Sequence, residues 1–128
     1  MTRLLFIDDD EEFREELSEI LRAAGHEVFV ASDGYGGIDI FNRERIDLVL
    51  LDVKLPGLNG LDVLTYMKTH RKETKVVIVS ALPVQGDRED KELDDAEAKI
   101  KKFADYFITK PFRVPDMLGI IKALCPQS

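Results

Sequence analysis

The sequence holds one cysteine in 128 residues, Cys125. A lone thiol rules out an internal disulfide and a cysteine-built metal site, and it fits a reducing compartment. No apolar run approaches the roughly 20 residues needed to cross a bilayer, and no signal-peptide pattern follows Met1. These absences predict a cytoplasmic chain without membrane association. Cations are in deficit: 18 Lys and Arg stand against 25 Asp and Glu, for a net charge of −7. That balance argues against direct nucleic-acid binding by this chain. Repeats, low-complexity segments and an interdomain linker are also lacking. A chain of this length suits one core, so residues 1–128 read as a single domain.

What is present is a set of short apolar runs: Leu4–Ile7, Val28–Ala31, Leu48–Leu51, Val76–Val79 and Tyr106–Ile108. None alternates strictly with polar residues, which predicts strands buried on both faces, as in a parallel sheet. Helical patterns lie between and after them. Phe13, Leu17, Ile20, Leu21 and Ala24 share one face, with Gly25 as a C-terminal stop. Residues 34–44 form a weaker pattern. Leu61, Leu64 and Met67 mark a third helix, and Leu93, Ala96, Ile100 and Phe103 a fourth. Met117, Leu118, Ile121 and Leu124 mark a fifth, with Pro126 beyond it. Strand followed by helix, five times over, predicts an α/β fold: a doubly wound five-stranded parallel sheet with helices on both faces.

In such sheets, ligands bind outside the C-terminal ends of the strands. The residues at those ends are Asp8 and Asp9, Asp52, Ser80 and Lys110. The first pair belongs to a run of five acids, Asp8 to Glu12. Two carboxylates ~4 Å apart repel by about 4 kcal/mol at an effective dielectric of 20, so a cation, solvent or a helix end must offset the run. Asp10 reads as a helix N-cap. Glu11 and Glu12 in the first turn gain from the helix dipole. Asp8 and Asp9, facing Asp52, form a hard oxygen site suited to Mg²⁺ together with a phosphate oxygen. A carboxylate can act as a nucleophile and form an aspartyl-phosphate. Lys110 can neutralise phosphoryl oxygens, and Ser80 can hydrogen-bond one. Pro56 and Gly60 read as loop-shaping and helix-starting residues. His26 and His70 read as surface residues.

Asp8-Asp9, "LLDVKLPGLNG" at 50–60, "VIVSA" at 77–81 and "TKPF" at 109–112 occur in one order. Together they resemble the receiver domain of bacterial two-component response regulators. The resemblance covers nearly the whole chain and implies a flavodoxin-like strand order, 2-1-3-4-5. It also implies that Asp52 is the phosphoacceptor and Asp9 the direct Mg²⁺ ligand, with Mn²⁺ as the alternative ion. Asp8 completes the pocket directly or through water, and the Lys54 backbone carbonyl is the third protein ligand. Ser80 contacts the phosphoryl group and Lys110 pairs with it. The Lys110–Pro111 bond is expected to be cis. Phe107 stands at the switch aromatic, which turns inward as Ser80 moves. The implied phosphodonor is a sensor histidine kinase or a histidine phosphotransfer protein. The implied output surface is the fourth helix, fifth strand and fifth helix, acting on a partner or an effector domain.

Several features depart from the family. The segment from Ser80 to Lys110 is longer than usual by about two helical turns, which implies an extended fourth-helix region. Lys54 and Leu82 stand where the family tunes phosphoryl lifetime, and the apolar Leu82 cannot orient water, so slow self-dephosphorylation is expected. The alternative readings need other features. A Mg²⁺-dependent phosphohydrolase with an aspartyl intermediate would want a second acid or base and a cap. A flavin-binding module would want a Ser/Thr/Gly-rich loop after the first strand, where this chain has acids.

Overall fold

The computed structural model describes residues 2–55, 58–80 and 98–126, with Ser80 described through its backbone. The expectations for Pro56, Leu82, Leu93, Ala96 and the Ser80 hydroxyl lie outside the described residues, as does most of the lengthened segment. The strands are β1 (Arg3–Ile7), β2 (Glu27–Ala31), β3 (Leu48–Leu51), β4 (Lys75–Ser80) and β5 (Tyr106–Thr109). The helices are α1 (Glu11–Ala23), α2 (Gly34–Arg43), α3 (Gly60–His70), a helical stretch at 98–103 (α4) and α5 (Val114–Leu124). All strand pairs are parallel and the order is β2-β1-β3-β4-β5.

The unbroken apolar runs of β1, β3 and β4 follow from cover on both sides of the sheet; the expectation of two buried faces fails for β2 and β5, which lie at the sheet edges and leave Val30 and Tyr106 exposed. Side chains alternate between faces along a strand. Leu5, Ile7, Val49, Leu51, Val76 and Ile78 pack with Phe41 of α2 and Val63, Leu64 and Met67 of α3. Their neighbours Leu4, Phe6, Leu48, Leu50, Val77 and Val79 pack on the other face with Leu17 and Leu21 of α1 and Met117 and Ile121 of α5. A strand with both parities buried has no polar face to show.

Helix α1 begins where the acids predict. The Asp10 carboxylate accepts the Phe13 N–H at 3.1 Å, which satisfies one of the free donors at the helix start. The helix ends in a Schellman motif: the His26 N–H reaches the Leu21 carbonyl and the Gly25 N–H the Arg22 carbonyl. Gly25 takes φ +98° there, a conformation in which a side chain would be strained. The buried face of α1 is narrower than its periodicity implies. Leu17 and Leu21 are buried, whereas Ile20 is 40% exposed and lines a shallow groove with Phe13 and Phe112.

The two histidines differ. His70 is exposed and its ring stacks on Tyr66. His26, expected at the surface, is half-buried, and its Nδ1 has no hydrogen-bond partner among the described residues. The Schellman turn that ends α1 carries it inward, because its N–H is drawn back to Leu21. Burial lowers its pKa below the ordinary 6.5. The unfolded chain therefore binds a proton more readily than the folded one. The His26 contribution to stability is complete above pH 6.5 and lost as pH falls through the lower folded value. Urea titrations at descending pH should show the midpoint falling in this window, and His26→Phe should flatten that part of the slope.

Candidate functional site

The site is a product of register. Ile7 pairs with Leu51 across β1 and β3, so the next residues, Asp8 and Asp52, emerge side by side at one sheet edge. The ladder continues past the strands: the Asp52 N–H donates to the Ile7 carbonyl, and the Asp8 N–H to the Ala31 carbonyl, each at 3.1 Å. On the other side, Ser80 pairs with Thr109 across β4 and β5, which puts Lys110 just beyond the same edge. The peptide bond from Lys110 to Pro111 is cis, as the resemblance implied.

Carboxylate oxygens of Asp8, Asp9 and Asp52 lie within 4.8 Å of one another. Asp8 is fully buried and Asp52 nearly so, whereas Asp9 is open to solvent. The Lys110 ammonium bridges the buried pair, donating to Asp8 Oδ2 at 2.7 Å and to Asp52 Oδ2 at 3.3 Å. The remaining buried oxygens accept backbone donors. Asp10 N–H reaches Asp8 Oδ1, and Lys54 N–H reaches Asp52 Oδ1, both at 2.9 Å. These bonds aim both carboxylates toward one point.

The electrostatics follow from burial. Desolvation raises the Asp8 pKa above 3.8, more than the Lys110 and Asp10 hydrogen bonds lower it. Burial pulls the Lys110 pKa down, but the Asp8 hydrogen bond and the Asp52 and Asp8 charges outweigh it and hold the ammonium above 10.5. One ammonium against three carboxylates leaves two negative charges uncompensated. Two unmatched charges among hard oxygen donors fit one divalent cation of the Mg²⁺ or Mn²⁺ type. The cluster also holds a carboxylate of the kind that can act as a nucleophile, Asp52, beside an ammonium able to balance a phosphoryl oxygen.

Three further candidates lie among the described residues. Lys54 is exposed, and its N–H orients Asp52. Phe107 is partly buried against the core that holds Val76, Ile78 and Ile100. Gly60 does more than start a helix. A methyl group on it would overlap the Asp52 carbonyl and lie 2.5 Å from Val53 Cα, and its N–H donates to the Val53 carbonyl at 3.3 Å. The start of α3 thus rests directly on the peptide that joins Asp52 to Val53. Overpacking of this kind costs about 1–3 kcal/mol, so Gly60→Ala should lower the urea midpoint accordingly and displace the Asp52 backbone amide resonance.

Sequence reasoning missed that Asp8, more than Asp52, holds Lys110. It also read Phe13 only as part of the apolar face of the first helix, although its ring lies under the Lys110 ammonium, 4.5 Å from centroid to Nζ. The clue was available in its place directly after the acidic run, in the first turn of α1. The Arg14 guanidinium donates to the Asp8 carbonyl at 2.7 Å, another contact with no signature in the spacing.

Comparison with known proteins agrees with this geometry. The sequence pattern of the response regulator receiver domain matches residues 4–122. The chain is 32% identical over 124 residues to sporulation initiation phosphotransferase F of Bacillus subtilis, covering 97% of this chain and 94% of that protein. It spans only about a third to a half of the length of several other curated relatives, with 35% and 51% covered in two of them. A CheY-like response regulator receiver domain protein of Methanospirillum hungatei superposes with a TM-score of 0.85 at 28% identity, covering 99% of this chain and 96% of the other. The Thermotoga maritima response regulator TrrA, solved with Mg²⁺ and BeF, superposes at 0.78 with 30% identity, covering 97% and 99%. With its parallel sheet in the order 2-1-3-4-5, its acidic edge and its match over residues 4–122, this chain belongs to the response regulator receiver domain family.

Proposed function

We propose that this chain is a single receiver domain that accepts a phosphoryl group on Asp52 in a Mg²⁺-dependent reaction. Phosphorylation by histidine kinases and Mg²⁺ binding at an acidic pocket are general for the family. One observation carries the assignment to these residues: the Asp8, Asp9 and Asp52 oxygens converge within 4.8 Å while Lys110 bridges the buried pair. In this reading Asp9, Asp52 and the Lys54 carbonyl hold the ion, with Asp8 joining directly or through water. The ion, when bound, supplies charge neutralisation at the transferring phosphoryl oxygens.

The chain's own groups supply the rest. An Asp52 carboxylate oxygen attacks phosphorus, a new O–P bond forms, and the bond to the donor's imidazole nitrogen breaks, leaving the electron pair on that nitrogen. Lys110 gives up part of its hold on the carboxylates and pairs with a phosphoryl oxygen. The Ser80 hydroxyl donates to another, and Phe107 follows it inward. The face built by α4, β5 and α5 then presents the changed state to an output partner or effector domain. The chain acts as a cytoplasmic signalling module that assists its own phosphorylation, with a sensor histidine kinase or phosphotransfer protein as donor. The matched family does not favour the phosphohydrolase alternative.

The test is incubation with Mg²⁺ and acetyl phosphate followed by intact-mass measurement. A single base-labile phosphoryl adduct supports the reading. Turnover of phosphate esters with no adduct would replace it with the hydrolase.

A further inference from the structure

We propose that Phe13 is a positioning residue for Lys110: its ring face forms the uncharged third wall of the ammonium's seat. The Lys110 Nζ lies 4.5 Å from the ring centroid while it donates to Asp8 at 2.7 Å and Asp52 at 3.3 Å. A cation over an aromatic face is attracted by the ring quadrupole, and more strongly where water is scarce. Only 22% of the Lys110 side chain reaches solvent.

The ring itself is held on three sides. It meets Phe6 of β1 edge-on, with centroids 5.7 Å apart and planes at 78°, and Phe112 at 5.9 Å and 75°. Phe6 is fully buried. From behind, the Asp10 carboxylate accepts the Phe13 N–H at 3.1 Å, so the N-cap that starts α1 also sets the backbone from which the ring projects. Such edge-to-face contacts resist ring displacement.

The chemistry explains why an uncharged wall is useful. This inference rests on Lys110 being the counter-charge of the phosphoryl group. Asp8 and Asp52 hold the ammonium by charge and compete with phosphoryl oxygens for it. When Asp52 becomes an acyl phosphate, it also loses a full charge as an anchor. The Phe13 ring holds the ammonium over the site without adding a competing anion, so it serves before and after transfer alike.

The experiment replaces Phe13 with a series of ring-fluorinated phenylalanines, which drain the ring quadrupole at nearly constant volume, beside Phe13→Leu and Phe13→Tyr. Expected is a stepwise fall in the rate of labelling by acetyl phosphate with added fluorine, roughly three- to tenfold by the most fluorinated ring. Phe13→Leu should fall as far and Phe13→Tyr should retain the rate, while urea midpoints across the fluorinated series stay together. In metal-free protein, the Lys110 ε-methylene proton resonances should sit upfield under the ring and return toward ordinary values in Phe13→Leu. A flat rate across the fluorinated series overturns the proposal. Lys110→Met separates the two readings. If it slows labelling while fluorination does not, only the role of Phe13 fails. If Lys110→Met labels like the parent, the role of Lys110 and the inference resting on it fail together.

Discussion

Asp52→Asn should abolish phosphoryl labelling by acetyl phosphate while leaving the fold in place. The amide is nearly isosteric with the carboxylate but lacks a nucleophilic anion, so no acyl phosphate can form on it. The structural cost is small for three reasons. The Lys54 N–H can still donate to the side-chain oxygen that replaces Asp52 Oδ1. Lys110 keeps its shorter bond, at 2.7 Å to Asp8. The Coulomb repulsion between Asp8 and Asp52, which contributes to raising the Asp8 pKa, disappears. The urea midpoint should therefore stay within the range of about ±0.5 kcal/mol seen for benign substitutions, or rise. Mg²⁺ should bind more weakly, because one of three converging carboxylates is gone. Labelling at the parent rate, located by peptide mapping to another residue, would remove Asp52 from its role.

Lys110→Met should act in two opposite directions, and that pair of effects is its signature. Removing the ammonium leaves Asp8, with 1% of its side chain exposed, and Asp52, with 9%, facing each other unpaired. Breaking a buried pair on one side costs about 3–5 kcal/mol, and solvent access to Lys110 brings the expected loss to roughly 2–4 kcal/mol. This loss should appear in metal-free urea or thermal unfolding. Mg²⁺ should then bind tighter than to the parent, by roughly tenfold or more, since no resident cation opposes it. Added Mg²⁺ should restore much of the lost stability, because a ligand that binds only the folded state stabilises it. Under the proposed role of Lys110, labelling should still be slow, because the phosphoryl group would lack its counter-charge. A variant as stable as the parent without metal would show that the bridge to Asp8 and Asp52 contributes little.

Much of the fold was legible in the pattern of apolar residues. The five runs fall within β1 to β5: the apolar runs of β1, β3 and β4 are buried on both faces, whereas the edge strands β2 and β5 keep apolar residues that stay partly open, Val30 and Tyr106 among them. The start of α1 was equally clear, since Asp10 can cap it and Glu11 and Glu12 favour its positive end. Other features were not legible. Ile20 carries the right spacing for burial, yet it stays half open because the segment after β5 leaves a groove beside it. His26 carries no local mark of burial, and it is drawn inward by the turn that ends α1. The strand order came from family resemblance, because hydrophobic periodicity gives which faces are buried and says nothing about which strand lies beside which.

The acidic run shows where the division falls. Local sequence determined that Ile7 ends a buried strand, that Asp10 caps a helix, and that Asp8 and Asp9 stand at the turn between them. Such features depend on a few neighbouring residues and on backbone geometry. The strand ends also pointed Asp8 and Asp9 toward Asp52, but tertiary structure alone decided that Lys110 bridges Asp8 and Asp52 from 102 and 58 residues away, and that Phe13 lies beneath that ammonium. Those contacts exist because parallel strands deliver their ends to one edge in register, and register between strands distant in sequence is set by the packing of both sheet faces at once.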